Sequence, residues 1–216
     1  MGAERQPTSD CRQSLQQSPI AYLDAMGIKK AHLAGESLGG WTSAWLAINH
    51  PNRVASVQLI AAGGTKADPV IMERIKTSTT RAVQVDDEDL TRQRLNLLMH
   101  NPEKDVSEEL VEVRHAIYHQ PDFVANIHNL LSLQNMEIRQ RNLLRPDDLG
   151  SIRAPALIVW GNQNPFGGVA EATAMHENIP GSELIVYNEC GHWPQHEHAE
   201  EYNTAAIEFL RKHPIK

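Results

Sequence analysis

The 216-residue chain has few cysteines and no long apolar run, and both features limit what it can be. Its two cysteines, Cys11 and Cys190, cannot form the disulfide framework of a small secreted protein. One bridge between them stays open, but we expect a reduced, cytoplasmic protein. No apolar stretch reaches the ~20 residues of a membrane helix, and the polar N-terminus lacks the apolar segment of a signal peptide. We therefore expect no membrane partner.

Clustered positive charge is also missing. The formal net charge is −7, and the 20 Lys and Arg residues form no long block. Because nucleic-acid binding needs clustered cations to neutralise phosphates, we expect no nucleic-acid partner. A hydrophobic fraction of 41% and a charged fraction of 22% are typical of a globular domain with one sizeable core.

Apolar runs and helical periodicity alternate along much of the chain, after an irregular N-terminus over residues 1–13. The predicted elements are a helix over 14–26 that Gly27 ends, strand Ala31–Ala34, helix Leu38–Asn49, strand Val54–Ala62, strand Ala156–Trp160, helix Gly168–Asn178, strand Leu184–Tyr187 and helix Ala199–Lys212. This alternation predicts an α/β fold with a mostly parallel, doubly wound sheet.

Residues 69–146 interrupt the alternation, because they contain no convincing strand. They predict helices over about Asp87–Met99, Ser107–His119 and Asp122–Gln134, with prolines between them. Residues 146–154 read as a polar connector. The sequence therefore predicts a helical insert between two parts of one α/β core, 14–68 and 147–216.

A Gly-Glu-Ser-Leu-Gly pattern at 35–39 lies between a predicted strand and a predicted helix. In this setting the chain turns so sharply that the backbone of Ser37 is strained, and side chains at Gly35 or Gly39 would clash. The turn presents the Ser37 hydroxyl and places the Leu38 N–H at a helix N-terminus, where it can donate to an oxyanion. The pattern predicts that Ser37 is a nucleophile. The alternative is a capped helix start in a non-catalytic protein.

A serine nucleophile needs a base, and His192 lies in the right place. It follows the last predicted strand in Cys190-Gly191-His192-Trp193, and the order serine, acid, histidine is typical of α/β-hydrolases. The acid should follow strand Ala156–Trp160, but Glu171 is the first carboxylate there. The catalytic set therefore lacks an obvious third member.

The side chains of Cys190, His192, His196 and His198 also raise the alternative of a metal site. Pro194 prevents a helical i, i+4 pairing of His192 with His196, and the chain has no His-Glu-x-x-His motif. We therefore expect neither a metal nor another cofactor.

Three motifs together are more specific than the serine pattern alone. They are Gly-Glu-Ser-Leu-Gly-Gly-Trp at 35–41, Ala-Ala-Gly-Gly at 61–64, and Cys-Gly-His-Trp-Pro-Gln-His-Glu-His-Ala-Glu-Glu-Tyr-Asn at 190–203. From about residue 14 onward the chain resembles the meta-cleavage-product hydrolases of the α/β-hydrolase superfamily. The resemblance implies an α/β-hydrolase fold with a helical cap over 69–146. It also implies cofactor-free cleavage of a carbon–carbon bond in 2-hydroxy-6-oxohexa-2,4-dienoate ring-fission products of aromatic degradation.

The resemblance also implies roles for single residues. Asn164 occupies the position of the family's catalytic acid, and Asp68 is an alternative because some relatives place the acid there. Arg114 corresponds in setting to a cap arginine that binds the substrate's carboxylate, with a solvated helix charge as the alternative. Trp193 corresponds to a pocket tryptophan beside the histidine, with core packing as the alternative.

Ser37 comes early compared with this family, whose nucleophile follows four strands and a helix. One of the preceding loops carries the second oxyanion donor, so we expect a chain that lacks the N-terminal strands. The leading hypothesis is a hydrolase of a small ring-fission substrate. The alternatives are a carboxylesterase and a catalytically dead remnant that acts as a binding protein. A homo-oligomer is left open.

Overall fold

Four parallel strands form the sheet that positions the site. The computed structural model describes residues 19–215, and its strands follow the order β1-β2-β3-β4 across the sheet. They are β1 (Ala31–Glu36), β2 (Val54–Ile60), β3 (Ala156–Gly161) and β4 (Glu183–Tyr187). All four predicted strands are confirmed, with ends shifted by one or two residues. The predicted irregular segment 1–13 and the start of the predicted helix over 14–26 lie outside the described residues.

Helices account for most of the remaining described chain. They are α1 (19–25 in its described part), α2 (Leu38–Asn49), α3 (Pro69–Gln84), α4 (Glu88–Asn96), α5 (Pro102–Asp105), α6 (Glu108–Tyr118), α7 (Pro121–Leu130), α8 (Met136–Arg141), α9 (Pro146–Gly150), α10 (Val169–Asn178), α11 (Pro194–Glu197) and α12 (Ala199–Lys212), with a 3₁₀ turn over Ser132–Gln134. None of the described helices is both long and apolar enough to cross a membrane.

Side chains of the sheet alternate between two apolar layers. In β3, Ile158 and Trp160 join the layer that contains Trp41 and Trp45 of α2. The intervening residues, Leu157 and Val159 in the same strand, instead pack with Ile60 and Phe209 of α12. Because successive strand residues point to opposite faces, a strand buried on both sides needs helices above and below it. The doubly wound α/β architecture predicted from the sequence is confirmed.

Every regular element between β2 and β3 is helical, as the sequence predicted. Helix α3 was not among the predicted helices, since its Thr-rich interior weakens the helical signal. Two residues typical of a helix start precede its interior. The Asp68 carboxylate accepts hydrogen bonds from the N–H groups of Val70 and Ile71, and Pro69 occupies the first turn. Helices α3 to α8 form a layer, called the cap below, that lies beside the carboxyl ends of the strands.

Candidate active site

Ser37 occupies the sharp turn between β1 and α2, with a backbone φ of 52°. A positive φ is costly for a residue with a Cβ, so surrounding contacts must hold it. The Ser37 N–H donates to the Ile60 carbonyl at 2.9 Å, while its own carbonyl accepts from Trp41 and Gly63, both at 3.1 Å. The predicted strain at Ser37 is therefore present, and the turn is tied to the end of β2.

Glycines permit the close approach on which this turn depends. A Cβ at Gly35 would lie 2.2 Å from the carbonyl carbon of Gly39, so the predicted clash there is confirmed. The same prediction was wrong for Gly39, where a Cβ would meet nothing within 4 Å. Gly40 is the packed position instead, because its Cβ would lie 2.6 Å from the Cβ of Ala62.

His192 lies in the loop after β4, and its side chain is oriented by Asn164. The ring Nδ1 is 2.9 Å from the Oδ1 atom of Asn164. The same oxygen accepts the N–H of Phe166 at 3.1 Å, which fixes the orientation of the amide. The His192 Nδ1 therefore carries a proton and donates it to Asn164, which leaves Nε2 as the nitrogen available for proton transfer.

The other ring nitrogen faces a residue that the sequence analysis did not assign to the site. His192 Nε2 lies 2.8 Å from a carboxylate oxygen of Glu36, the residue immediately before Ser37. Among the described residues, Ser37 and His192 share no hydrogen bond. The Glu36 oxygen at this contact has no hydrogen-bond partner within residues 19–215, so Nε2 stays the ring nitrogen that can accept the Ser37 proton. The position of Glu36 next to Ser37 in the sequence was the signal that could have identified it as a residue of the site.

The loop that carries His192 is held by a second residue missing from the predicted site. The carboxylate of Glu197 is buried and accepts backbone N–H groups from Gly191 at 2.8 Å, Trp193 at 3.0 Å and His100 at 2.8 Å. It therefore fixes the residues on both sides of His192 and ties them to the cap. A charged residue closely following the histidine was the signal that could have identified it.

Replacing this carboxylate tests its structural role. We expect Glu197→Ala to lower the free energy of unfolding by about 3 kcal/mol, because one buried and two partly buried N–H donors lose their acceptor. Urea unfolding followed by circular dichroism measures the change. The exposed Glu200, three residues further along, is a matched control whose Ala variant should change stability by less than about 0.5 kcal/mol. Equal stability of both variants would contradict the role given to Glu197.

Cys190 is a free, buried thiol in the same loop. Burial raises the pKa of Cys190, with a further contribution from the nearby Glu197 carboxylate. The thiol is therefore protonated and unreactive at neutral pH. Cys11, the other half of the bridge left open by the sequence, lies outside the described residues.

A cavity of about 730 Å³ lies between the sheet edge and the cap. All six residues of the predicted site line it, namely Ser37, Leu38, Arg114, Asn164, His192 and Trp193. The Arg114 guanidinium lies over the ring of Trp193 at 5.0 Å and over the ring of Tyr118 at 5.6 Å. Arg94, which the sequence analysis did not single out, lines the same cavity.

Asp68, the alternative partner of the histidine, has a different position. It is exposed and its carboxylate caps α3, as described above. The oxygen that contacts the His192 Nδ1 belongs to Asn164.

The four side chains considered as metal ligands, those of Cys190, His192, His196 and His198, contact different partners. His196 Nε2 lies 2.8 Å from the Asp105 carbonyl, and the His198 ring stacks on Tyr187. Within residues 19–215, the side chains of Asp86, His115 and His119 form a different group, whose potential ligand atoms lie within 4.8 Å of one another. This group belongs to the cap, and His115 is hydrogen-bonded there to Thr91.

Known relatives agree with the architecture and with the motifs. A family model described as the alpha/beta hydrolase fold matches residues 8–199. The chain is 34% identical over 194 residues to a 2-hydroxy-6-oxo-6-phenylhexa-2,4-dienoate hydrolase of Comamonas testosteroni, covering 88% of this chain and 66% of that protein. It is 32% identical over 197 residues to a 2-hydroxy-6-oxononadienedioate/2-hydroxy-6-oxononatrienedioate hydrolase of Burkholderia vietnamiensis, covering 88% and 65%. The chain thus spans slightly less than two thirds of these relatives.

Solved structures give the same result for the fold. The meta-cleavage product hydrolase from Pseudomonas fluorescens IP01 superposes with a TM-score of 0.79 at 23% identity, covering 97% of this chain and 75% of that one. The 2-hydroxy-6-oxo-6-phenylhexa-2,4-dienoate hydrolase from Rhodococcus sp. strain RHA1 gives 0.78 at 21% identity, covering 98% and 76%. The resemblance predicted from the motifs is confirmed, and the chain belongs to the family of proteins with the alpha/beta hydrolase fold.

Proposed function

We propose that the protein hydrolyses a carbon–carbon bond in a 2-hydroxy-6-oxo-dienoate, a ring-fission product of aromatic catabolism, through Ser37 and His192. One observation carries the proposal: the strained serine, the oriented histidine and the guanidinium of Arg114 line one cavity. A carboxylesterase for neutral substrates has no need of a cation in its pocket. The relatives named above are hydrolases of dienoates or dienedioates, all of which carry a carboxylate.

In the proposed reaction one water molecule is consumed. The bond between the ketone carbon and the neighbouring dienol carbon breaks, the water oxygen joins the ketone carbon to give a carboxylic acid, and a proton joins the released carbon. Arg114 binds the carboxylate of the dienoate and orients it, since a guanidinium matches a carboxylate with two parallel hydrogen bonds. The Trp193 ring lies under that guanidinium and supports its position.

Proton transfer falls to His192. Its Nδ1–H donates a hydrogen bond to Asn164, so proton transfer takes place at Nε2. Nε2 first moves the proton that converts the dienol to its keto form, and it then accepts the proton of the Ser37 hydroxyl. The Leu38 N–H begins α2 and has no acceptor within the helix, so it can donate to the oxyanion formed at the ketone. Acid–base groups and water supply every atom, so the reaction needs no cofactor, and the substrate is a small molecule. We place the enzyme in the cytoplasm, in keeping with the free thiol of Cys190.

The direct experiment compares two substrates with the 216-residue chain. The dienolate 2-hydroxy-6-oxo-6-phenylhexa-2,4-dienoate absorbs visible light and loses that absorbance on cleavage, and 4-nitrophenyl acetate reports esterase activity. We expect kcat/KM for the dienolate to exceed that for the ester by at least about 10²-fold, because only the dienolate offers Arg114 a carboxylate. A faster reaction with the ester would favour the carboxylesterase alternative.

Replacing Arg114 separates binding of the carboxylate from chemistry. We expect Arg114→Met to raise KM for the dienolate by about 10- to 100-fold, because a charge-assisted hydrogen-bond pair is lost. The same variant should leave hydrolysis of the neutral ester unchanged, so the ester is the internal control. Equal effects on the two substrates would show that Arg114 does not bind the carboxylate.

A further inference from the structure

Three side chains with metal-binding atoms meet in the cap, and none of them lines the cavity described above. One ring nitrogen each of His115 and His119 and one carboxylate oxygen of Asp86 lie within 4.8 Å of one another. His115 and His119 are four residues apart at the end of α6, and this spacing places two side chains on one face of a helix. Asp86 lies in the segment between α3 and α4. These three residues are called the cap histidine group below.

Both ring nitrogens of His119 face oxygen atoms that can only accept hydrogen bonds. Nδ1 lies 2.9 Å from the carbonyl oxygen of His115, and Nε2 lies 3.2 Å from the carbonyl oxygen of Val85. A neutral imidazole has a single N–H group, so it can donate to only one of these carbonyls. With the proton on Nδ1, at the shorter contact, the lone pair of Nε2 faces the Val85 oxygen. A cation placed there, a proton or a metal ion, removes this repulsion.

The ring of His115 is held in a similar way. Its Nε2 lies 3.0 Å from the Oδ1 atom of Asp86, and its Nδ1 lies 3.0 Å from the hydroxyl of Thr91. The hydroxyl can accept the Nδ1–H, which leaves the lone pair of Nε2 toward the carboxylate. Thr91 is buried, so it fixes the ring from behind, as the outer hydrogen-bond partner of a metal-binding histidine does.

The distances within the group suit a small metal ion. Zn²⁺ binds imidazole nitrogen and carboxylate oxygen at about 2.0–2.2 Å, so two ligand atoms of a tetrahedral site lie about 3.3 Å apart. The 3.0 Å between His115 Nε2 and the Asp86 oxygen is already near that value. The side chain of Asp86 is 87% exposed, so it can turn to close the remaining spacing and leave room for a water ligand.

Local charge and ligand type favour a transition metal over Mg²⁺ or Ca²⁺. Asp86 begins a run of four acidic residues, 86–89, and this negative charge attracts a cation. The guanidinium of Arg114, which precedes His115 in the chain, lies over Trp193 at the cavity instead. Imidazole nitrogen is a good ligand for zinc, copper and nickel, whereas Mg²⁺ and Ca²⁺ prefer sites made of oxygen alone.

We propose that the cap histidine group binds a divalent transition-metal ion of the zinc type. The ligands are Nε2 of His115, Nε2 of His119, the carboxylate of Asp86 and one water molecule. The ion joins the segment between α3 and α4 to the end of α6. Because α6 carries Arg114 and Tyr118, both of which line the cavity, the ion stabilises one wall of the pocket. It lies outside the reaction centre, so its role is structural and does not depend on the substrate.

A titration tests the site without any catalysis. ZnCl₂ is titrated by calorimetry into the full chain after a chelator has removed bound metal. We expect one equivalent to bind, and Asp86→Asn or His119→Gln to weaken that binding at least about tenfold, since each substitution removes a ligand. MgCl₂ should bind at least about 100-fold more weakly than ZnCl₂. No zinc binding by the unmodified chain, or equal binding of Mg²⁺, would overturn the proposal.

Two matched controls separate the ligands from their surroundings. Glu88→Gln removes an exposed charge from the same acidic run, and His128→Gln removes an exposed histidine from α7 of the cap. Both variants should keep the Kd for Zn²⁺ within about twofold of the unmodified chain, because exposed charges outside the ligand set contribute little. An equal loss in the controls and in the ligand variants would show that zinc binds to general surface charge, against the proposal.

Thermal unfolding and hydrogen exchange test the role and the location. Zn²⁺ at about 100 times its Kd should raise the Tm of the unmodified chain by at least about 4 °C, and that of His119→Gln by less than about 1 °C. The bound ion should slow amide exchange in residues 84–91 and 112–120. Binding without a rise in Tm would refute the structural role. Protection confined to residues 188–198 would place the metal at the loop of His192 and overturn the proposal.

Discussion

Ser37→Ala is expected to lower kcat for the dienolate by at least ~10³-fold. The hydroxyl is the only group that the substitution removes, and alanine can adopt the same turn because the φ of 52° is held by hydrogen bonds of the backbone. The variant should therefore fold and still bind the dienolate at Arg114, visible as a shift of the dienolate absorbance. Stopped-flow measurement of single turnovers gives both binding and cleavage rates.

The half-buried Ser78 on α3 provides a matched control, since its hydroxyl hydrogen-bonds only within its own helix. Ser78→Ala should keep kcat within about twofold of the unmodified chain. Retention of more than a tenth of the activity in Ser37→Ala, with Ser78→Ala unchanged, would refute the role of Ser37. A loss of dienolate binding in Ser37→Ala would instead show that the substitution has disturbed the pocket.

Asn164→Asp is expected to raise kcat by at least about tenfold. The Asn164 Oδ1 accepts both the His192 Nδ1 proton and the Phe166 N–H, and a carboxylate can keep both hydrogen bonds. It adds a negative charge 2.9 Å from the ring nitrogen, which stabilises the imidazolium formed when His192 takes up a proton. The reverse change in a serine protease triad costs about 10⁴ in rate, so the available gain is large.

Asp68→Asn is the companion experiment, because Asp68 was the alternative support for the histidine. Its carboxylate caps α3, so the variant should lose about 1 kcal/mol of stability at most and keep its kcat. A fall in kcat for Asp68→Asn, with no gain for Asn164→Asp, would transfer the supporting role to Asp68. No change in either variant would mean that neither residue supports His192.

Much of the arrangement could be predicted from the sequence because parallel strands impose it. Short apolar runs located β2 and β3, and the glycine pattern located the turn at Ser37. The loops after β1, β3 and β4 all lie at the carboxyl edge of the sheet, so residues as distant as Ser37, Asn164 and His192 were expected to meet. They line one cavity, as such a sheet requires.

The contacts between side chains from different elements could not be predicted in this way. Glu36 turns toward His192, Glu197 collects three backbone donors, and Arg94 enters the cavity from the cap. Each of these depends on where a flexible polar side chain points once cap and core are packed, which periodicity does not determine. The wrong prediction of a clash at Gly39 has a similar cause. Neighbouring residues on a helix point in different directions, so a Cβ at Gly39 meets open space whereas one at Gly40 meets Ala62.

Identification of the reaction products tests the central claim most directly. The full chain is incubated with 2-hydroxy-6-oxo-6-phenylhexa-2,4-dienoate in ¹⁸O-labelled water, and the products are analysed by mass spectrometry. The mechanism through Ser37 and His192 predicts equal amounts of benzoate and 2-hydroxypenta-2,4-dienoate, with the label in the benzoate carboxyl group and no products from Ser37→Ala. Unchanged substrate with the unmodified chain, or the same products from Ser37→Ala at a similar rate, would contradict it.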